Sequence, residues 1–162
     1  MTTETVCKQR VQAGSAWLDV NYPGWWKTID LVDLDLSTCR YCVLGQVWTG
    51  HIPAEERRQL LAQVIRASEQ ADCWSGVNLD TVAIKVGNGY TWLRQVHKLT
   101  PLDTTRMGFA LSGDEAPMGF DRTRAAWDGL GDEWVRVIIG RRLASEPRLV
   151  EELKPVKVLV NA

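Results

Sequence analysis

Eight tryptophans, against only two phenylalanines and three tyrosines, limit what this chain can fold into more than any other feature. Trp17, Trp25, Trp26, Trp48, Trp74, Trp92, Trp127 and Trp134 are distributed along almost its whole length. An indole ring is the largest apolar surface a side chain can bury, and burial is its default role. Rings spaced this way predict that each segment brings one large ring to a shared core. Left in water, the same rings would instead form a stacking or interface surface. The densest region is residues 25–48, which holds Trp25, Trp26 and Trp48 together with Cys39 and Cys42.

A core of that kind needs one domain, and 162 residues suit a single domain over 1–162. Apolar content of 45% and charged content of 24% are those of an ordered globular protein. Nineteen Lys and Arg balance twenty Asp and Glu, so no large field favours nucleic acid or an anionic membrane. No apolar run approaches membrane-spanning length, and the opening MTTETVCKQR lacks a signal-peptide core. The expectation is a soluble cytoplasmic protein whose cysteines are reduced or metal-bound.

Along the chain, residues 6–21 suit a helix with Val6, Ala13, Trp17 and Val20 inward, weakened at Gly14. Tyr22-Pro23-Gly24 signals a turn. Leu34 and Leu36 alternate with Asp33 and Asp35 as in an extended entry. A helix is expected to start at Ser37 or Thr38 and to carry Cys39, Val43 and Val47 at four-residue steps, with Gly45 its weak point. Pro53 suits the first position of a helix over 53–70, with Leu60, Leu61, Val64 and Ile65 as its stripe. Residues 81–86 alternate, and Asn88-Gly89 follows, which predicts a hairpin through residue 96; the competing reading makes residues 90–99 a helix. Residues 100–119, rich in Pro and Gly, read as a long loop. A helix over 121–144 presents Trp127, Leu130, Trp134 and Ile138, with Gly129 and Gly131 as points where it breaks. Val156, Val158 and Val160 alternate as a terminal strand. Together these give an α+β fold, three or four helices with a β-hairpin and a C-terminal strand around one Trp-rich core; the alternative is mostly α.

Cys39-Arg40-Tyr41-Cys42 is the one recognisable ligand spacing. On a helix its sulfurs share a face near the positive end of the dipole, which lowers a thiol pKa. A zinc site would need two further ligands from Cys7, Cys73, His51 and His97. A redox dithiol would need a βαβ setting that the sequence lacks. The plain reading is that Cys39 and Cys42 pack a helix as small apolar groups, with no cofactor and zinc as the alternative. Asp30, Asp33 and Asp35 would ligate Mg²⁺ only if two converged, and their alternation with leucines fits a solvated edge better. Neither His51 nor His97 stands beside a nucleophile motif, and GNGYTW is not a phosphate loop. No catalytic residue is assigned.

Two blocks carry a resemblance. Ile29-Asp30-Leu31 through Leu34-Asp35-Leu36-Ser37 and Cys42-Val43-Leu44-Gly45-Gln46 form the first, and Gly119-Phe120-Asp121 with Trp134, Ile138 and Arg141-Arg142 the second. They resemble a group of small proteins encoded by phages of actinobacteria, in which a GFD step precedes a helix bearing a Trp, an Ile and paired arginines. The resemblance implies a setting, the cytoplasm of an infected bacterium, and no mechanism. The first functional expectation is therefore a phage-type accessory protein that binds a host or phage protein without catalysis. Its interface candidates are Trp25, Trp26, Trp92, Arg141 and Arg142. The alternatives are a zinc-stabilised module contacting nucleic acid, and a small enzyme or ligand-sequestering protein whose 100–119 loop covers a Trp-lined pocket.

Overall fold

The computed structural model describes residues 3–68, 89–111 and 120–146. Six α-helices order them: α1 (Thr3–Asn21), α2 (Val43–Gln46), α3 (Ala54–Ser68), α4 (Gly89–Val96), α5 (Pro101–Arg106) and α6 (Phe120–Ser145). A 3₁₀ turn over Trp25–Lys27 and a π turn over Val47–His51 complete the list. No strand occurs among the described residues, and this overturns the α+β expectation. The second arm of the expected hairpin is α4; its first arm, at 81–86, and the expected strand at Val156, Val158 and Val160 lie outside the described residues.

Helices α1 and α6 pack along one another and form the frame. On α1 the buried positions are Val11, Gly14, Ser15 and Leu18, a stripe of helical period. Of the expected inward face, Ala13 and Val20 are exposed, whereas Val6 and Trp17 are half-buried and Trp17 packs against the core. The reason is close approach. A Cβ on Gly14 would stand 2.1 Å from the Met107 carbonyl oxygen and 3.0 Å from the Trp134 ring, so small residues turn inward where the neighbouring backbone passes. On α6, Leu130, Trp134 and Ile138 are fully buried at four-residue steps. The helix runs unbroken through Gly129 and Gly131, because packing of this stripe outweighs their poor propensity.

A glycine also explains the misread hairpin. A Cβ on Gly89 would meet Gly45 Cα and Trp48 Cβ, each at 2.9 Å, so α4 starts against α2 at a glycine-to-glycine contact. Gly89 thus supplies close approach between helices. The first residue after that contact, Tyr90, donates its N–H to the Cys39 carbonyl at 3.2 Å.

Residues 101–106, expected as loop, form α5 with a full capping box. Thr100 Oγ1 accepts from the Asp103 N–H at 3.1 Å, and the Asp103 carboxylate accepts from the Thr100 N–H at 2.8 Å, with Pro101 at the first helical position. Gly108, at φ +68°, closes the helix: Phe109 N–H returns to Thr104 O and Gly108 N–H to Thr105 O.

Seven rings form a continuous chain through the interior. Trp25 meets Trp134 edge-on at 5.7 Å, Trp134 stacks on Phe109 at 5.4 Å, and Phe109 meets Trp17 at 6.0 Å. Trp17 then contacts His97 at 4.8 Å, His97 contacts Tyr22 at 5.5 Å, and Tyr22 contacts His51 at 6.1 Å. Trp25, Trp48 and Trp134 are fully buried and Trp17, Trp26 and Trp127 partly so; Trp74 lies outside the described residues.

Candidate protein-interaction site

Residues 27–36 form an irregular segment that the rest of the fold holds from both sides. The buried Gln46 side chain, at the end of α2, accepts the Asp30 N–H at 2.6 Å and donates to the carbonyls of Asp30 and Tyr41, both at 3.0 Å. From α6, Arg142 Nη2 donates to the carbonyl of Trp26 at 3.1 Å and to that of Ile29. Asp30 accepts the Val32 N–H and Asp35 accepts the Ser37 N–H, each at 2.9 Å. These aspartates therefore close local turns and do not mark the edge of a strand. Ile29 and Leu36 are buried, Leu31 and Leu34 are half-buried, and Val32 is 94% exposed.

Across from this segment runs one stripe of α6, with Trp127, Gly131, Val135 and Ile139 at four-residue steps. Ile139 is 42% exposed. A cleft of about 170 Å³ lies between Leu34, Asp35 and Leu36 on one side and Trp127, Asp128, Gly131, Asp132 and Val135 on the other. A second depression, of about 430 Å³, is lined by residues 27–32 and Arg142. Both lie in the groove between residues 27–36 and α6, and their lining mixes charged with apolar side chains.

Four of the five expected interface residues are brought together, but they face inward. Trp25 is fully buried, and its indole N–H donates to Asp19 Oδ1 at 3.0 Å. Arg141 grips the same carboxylate, and Arg142 holds the carbonyls of Trp26 and Ile29. Trp26 is half-buried, with the Lys27 ammonium 5.2 Å from its ring centroid. Trp92 is buried on α4, away from this cluster.

The expected metal ligands are distributed differently. Among the described residues no group of three or more His, Cys, Asp or Glu side chains is placed to hold an ion, and Cys73 lies outside those residues. Cys39 is exposed and precedes the helix. The helix starts at Val43, six residues after the expected Ser37, with Cys42 as its cap: Cys42 Sγ accepts the Gly45 N–H at 3.3 Å. Burial pushes the Cys42 thiol up to about 12, the reverse of the lowering expected near a helix N-terminus. His51 and His97, the two imidazoles of the chain, both pack on Tyr22, whose hydroxyl is 2.6 Å from His97 Nε2. Burial lowers the His97 pKa, and burial, with a smaller contribution from Glu56, raises Tyr22 to about 12. Both stay neutral at pH 7, and neither lines the groove.

Comparison with protein families, with characterised proteins and with solved structures finds no match. Among the described residues no helix is long and apolar enough to cross a membrane.

Sequence reasoning passed over Val32, Ile139 and Gln46. Periodicity carried a signal for Ile139, because it continues the Trp127, Gly131, Val135 stripe on a flank of α6 distinct from the buried one. For Gln46 no sequence signal exists, since its partners are backbone groups as many as 16 residues distant.

Proposed function

We propose that the protein acts by binding another protein through the groove between residues 27–36 and α6. The observation that carries this reading is the exposure of two large apolar side chains, Val32 at 94% on the 27–36 segment and Ile139 at 42% on α6. A valine almost wholly in water adds nothing to the fold, whereas covering it stabilises a complex by about 1–2 kcal/mol. The display is also rigid. Gln46 and Arg142 fix the backbone before Val32, at Asp30 and at Trp26 and Ile29, and the Asp35 N–H donates to the Tyr41 carbonyl after it, so little conformational freedom is lost on docking. The resemblance to phage-encoded proteins supplies the setting we propose, a host or phage protein in the bacterial cytoplasm as partner.

The test is stoichiometric pull-down from lysate of an infected actinobacterium with the full chain and with Val32→Asp/Ile139→Asp. A partner held by the first and lost by the second, with melting temperature unchanged, supports the proposal. Equal recovery by both, or none by either, counts against it.

A further inference from the structure

Cys39 and Cys42 stand at the two ends of one turn, in opposite surroundings. Among the described cysteines Cys39 is the exposed one, whereas Cys42 is buried. The Cys42 N–H donates to the Thr38 carbonyl at 3.1 Å, four residues back as in a helix. Residues three apart on a turn of that size hold their Cβ atoms about 5–6 Å from each other. A disulfide needs about 3.5–4.5 Å, so the pair closes when the turn tightens by about 1–2 Å. The Cys42 sulfur already lies 3.8 Å from the Cys39 carbonyl oxygen. Burial first, and the nearby Cys39 sulfur to a smaller extent, push the Cys42 thiol up and keep it protonated.

The same turn fastens its surroundings. The Cys39 carbonyl takes the Tyr90 N–H at the start of α4, and the Tyr41 carbonyl takes both Gln46 Nε2 and the Asp35 N–H. Cys42 Sγ caps α2 at the Gly45 N–H, and a Cβ on Gly45 would stand only 2.4 Å from the Cys39 carbonyl oxygen. We propose that Cys39 and Cys42 are a reversible thiol–disulfide pair, closed by low-molecular-weight disulfides, whose closure uncaps α2 and loosens its junction with α4. The Cys39 thiolate attacks one sulfur of the external disulfide RSSR and expels RS⁻, which leaves a mixed disulfide. Cys42 then gives up its proton, attacks the Cys39 sulfur and expels the second RS⁻. The two cysteine sulfurs lose two electrons in all, RSSR is reduced, and the two cysteine protons end on the two RSH formed. Exposure makes Cys39 the first to react, and burial makes Cys42 the slower, resolving partner. Once bonded to Cys39, the Cys42 sulfur turns from the Gly45 N–H, and the tightened turn draws the Cys39 carbonyl from Tyr90. In a reducing compartment such a disulfide is transient and responds to oxidation. This chemistry does not depend on what the groove binds.

Glutathione disulfide, applied to the folded full chain, is the probe, and the products are mapped by mass spectrometry after tryptic digestion. Trypsin cuts after Lys27, Arg40 and Arg57, which leaves Cys39 on residues 28–40 and Cys42 on residues 41–57. The expected product is these two peptides joined, and parted again by dithiothreitol. Cys42→Ser keeps a hydroxyl cap on α2, and its reaction should stop at the glutathione adduct on Cys39. Cys39→Ser, at an exposed position, should slow modification of Cys42 by about ten-fold or more. In the closed form, hydrogen exchange at the Gly45 and Tyr90 amides should quicken by about five- to ten-fold, as one hydrogen bond is lost at each. An adduct that persists on Cys39 in the parent chain, a bridge to Cys7 or Cys73 instead, or equally fast modification of Cys42 in Cys39→Ser overturns the pairing. Closure with unchanged exchange at both amides overturns its effect on α2 and α4.

Discussion

Arg141 and Asp19 form a two-pronged ion pair across 122 residues of sequence, with Nη1 to Oδ1 at 2.8 Å and Nη2 to Oδ2 at 2.6 Å. The same Oδ1 takes the buried Trp25 indole N–H, so one carboxylate joins α1, the Trp25 turn and α6. The fork of the guanidinium matches both carboxylate oxygens, which an ammonium cannot do. Arg141→Lys is therefore expected to keep the charge yet lose stability, by about 1 kcal/mol for a pair about one-third exposed. Asp19→Ala should cost more, about 2 kcal/mol, because it also leaves the indole N–H without its acceptor. Urea unfolding of the two variants checks the order. Equal losses would mean that the Trp25 hydrogen bond contributes nothing beyond the ion pair.

Gln46 gives a sharper case, because its three partners are backbone groups, of which the Tyr41 carbonyl also accepts the Asp35 N–H at 3.2 Å. Gln46→Met, similar in length, is expected to lower stability by about 2–3 kcal/mol and to loosen residues 27–36. Gln46→Glu should do nearly as much harm, since a carboxylate accepts from the Asp30 N–H but cannot donate to the two carbonyls. Hydrogen exchange at the Asp30 amide reports the local part. If Gln46→Glu matches the parent in both measurements, the donated bonds are not what hold the segment.

The helices were legible where a stripe of period 3.6 outweighs everything else, as on α3 and on α6 through Leu130, Trp134 and Ile138. The core role of Trp25, Trp48, Trp92 and Trp134 was legible from the spacing of the tryptophans. Illegible were the positions where glycine serves another helix and not its own chain. Gly89 has the sequence signature of a turn, but its reason is the backbone of Gly45, 44 residues earlier. Composition misled at α5. Pro101 and Gly108 suggested loop, whereas Thr100-Pro101-x-Asp103 is itself a helix start and Gly108 a helix stop. At the groove, the Asp–Leu alternation was visible, but its turn geometry depends on side chains folding back on their own backbone. The engagement of Arg141 with Asp19 and of Arg142 with carbonyls depends on tertiary contacts that no local pattern encodes.

The Tyr22 cluster makes stability depend on pH at both ends. His97 titrates near 6.5 when unfolded and lower when folded, because burial disfavours its charged form. Above that unfolded value both states are neutral and the fold loses nothing. As pH falls below it, the unfolded chain takes up the proton first, and stability declines until the folded pKa is passed. Tyr22 acts in the opposite direction: its unfolded value of 10.0 is raised to about 12 on folding, so stability declines as pH rises through that interval. His97→Gln is expected to flatten the acid-side decline that sets in as pH falls through 6.5, and Tyr22→Phe the alkaline one. Chemical denaturation across pH tests both. An acid-side decline that persists undiminished in His97→Gln would place the responsible group elsewhere.

Glycines of opposite purpose allow the packing argument to be tested by one substitution made at four places. At Gly129 and Gly140 on α6 an added Cβ meets nothing within 4 Å, so alanine there only removes freedom from the unfolded chain. Each change is expected to stabilise by about 0.5–1 kcal/mol. At Gly14 the same Cβ would lie 2.1 Å from the Met107 carbonyl oxygen, and at Gly89 2.9 Å from Gly45 Cα, both backbone groups that side-chain rotation cannot move. Alanine at either must push α1 from the Met107 turn or α4 from α2, at a cost of about 1–3 kcal/mol that outweighs the propensity gain. Thermal melts of the four single variants should therefore split, two above the parent and two below. Gly14→Ala melting with Gly129→Ala, above the parent, would mean that α1 and the Met107 turn are not in contact, and the inward face of α1 would have to be redrawn.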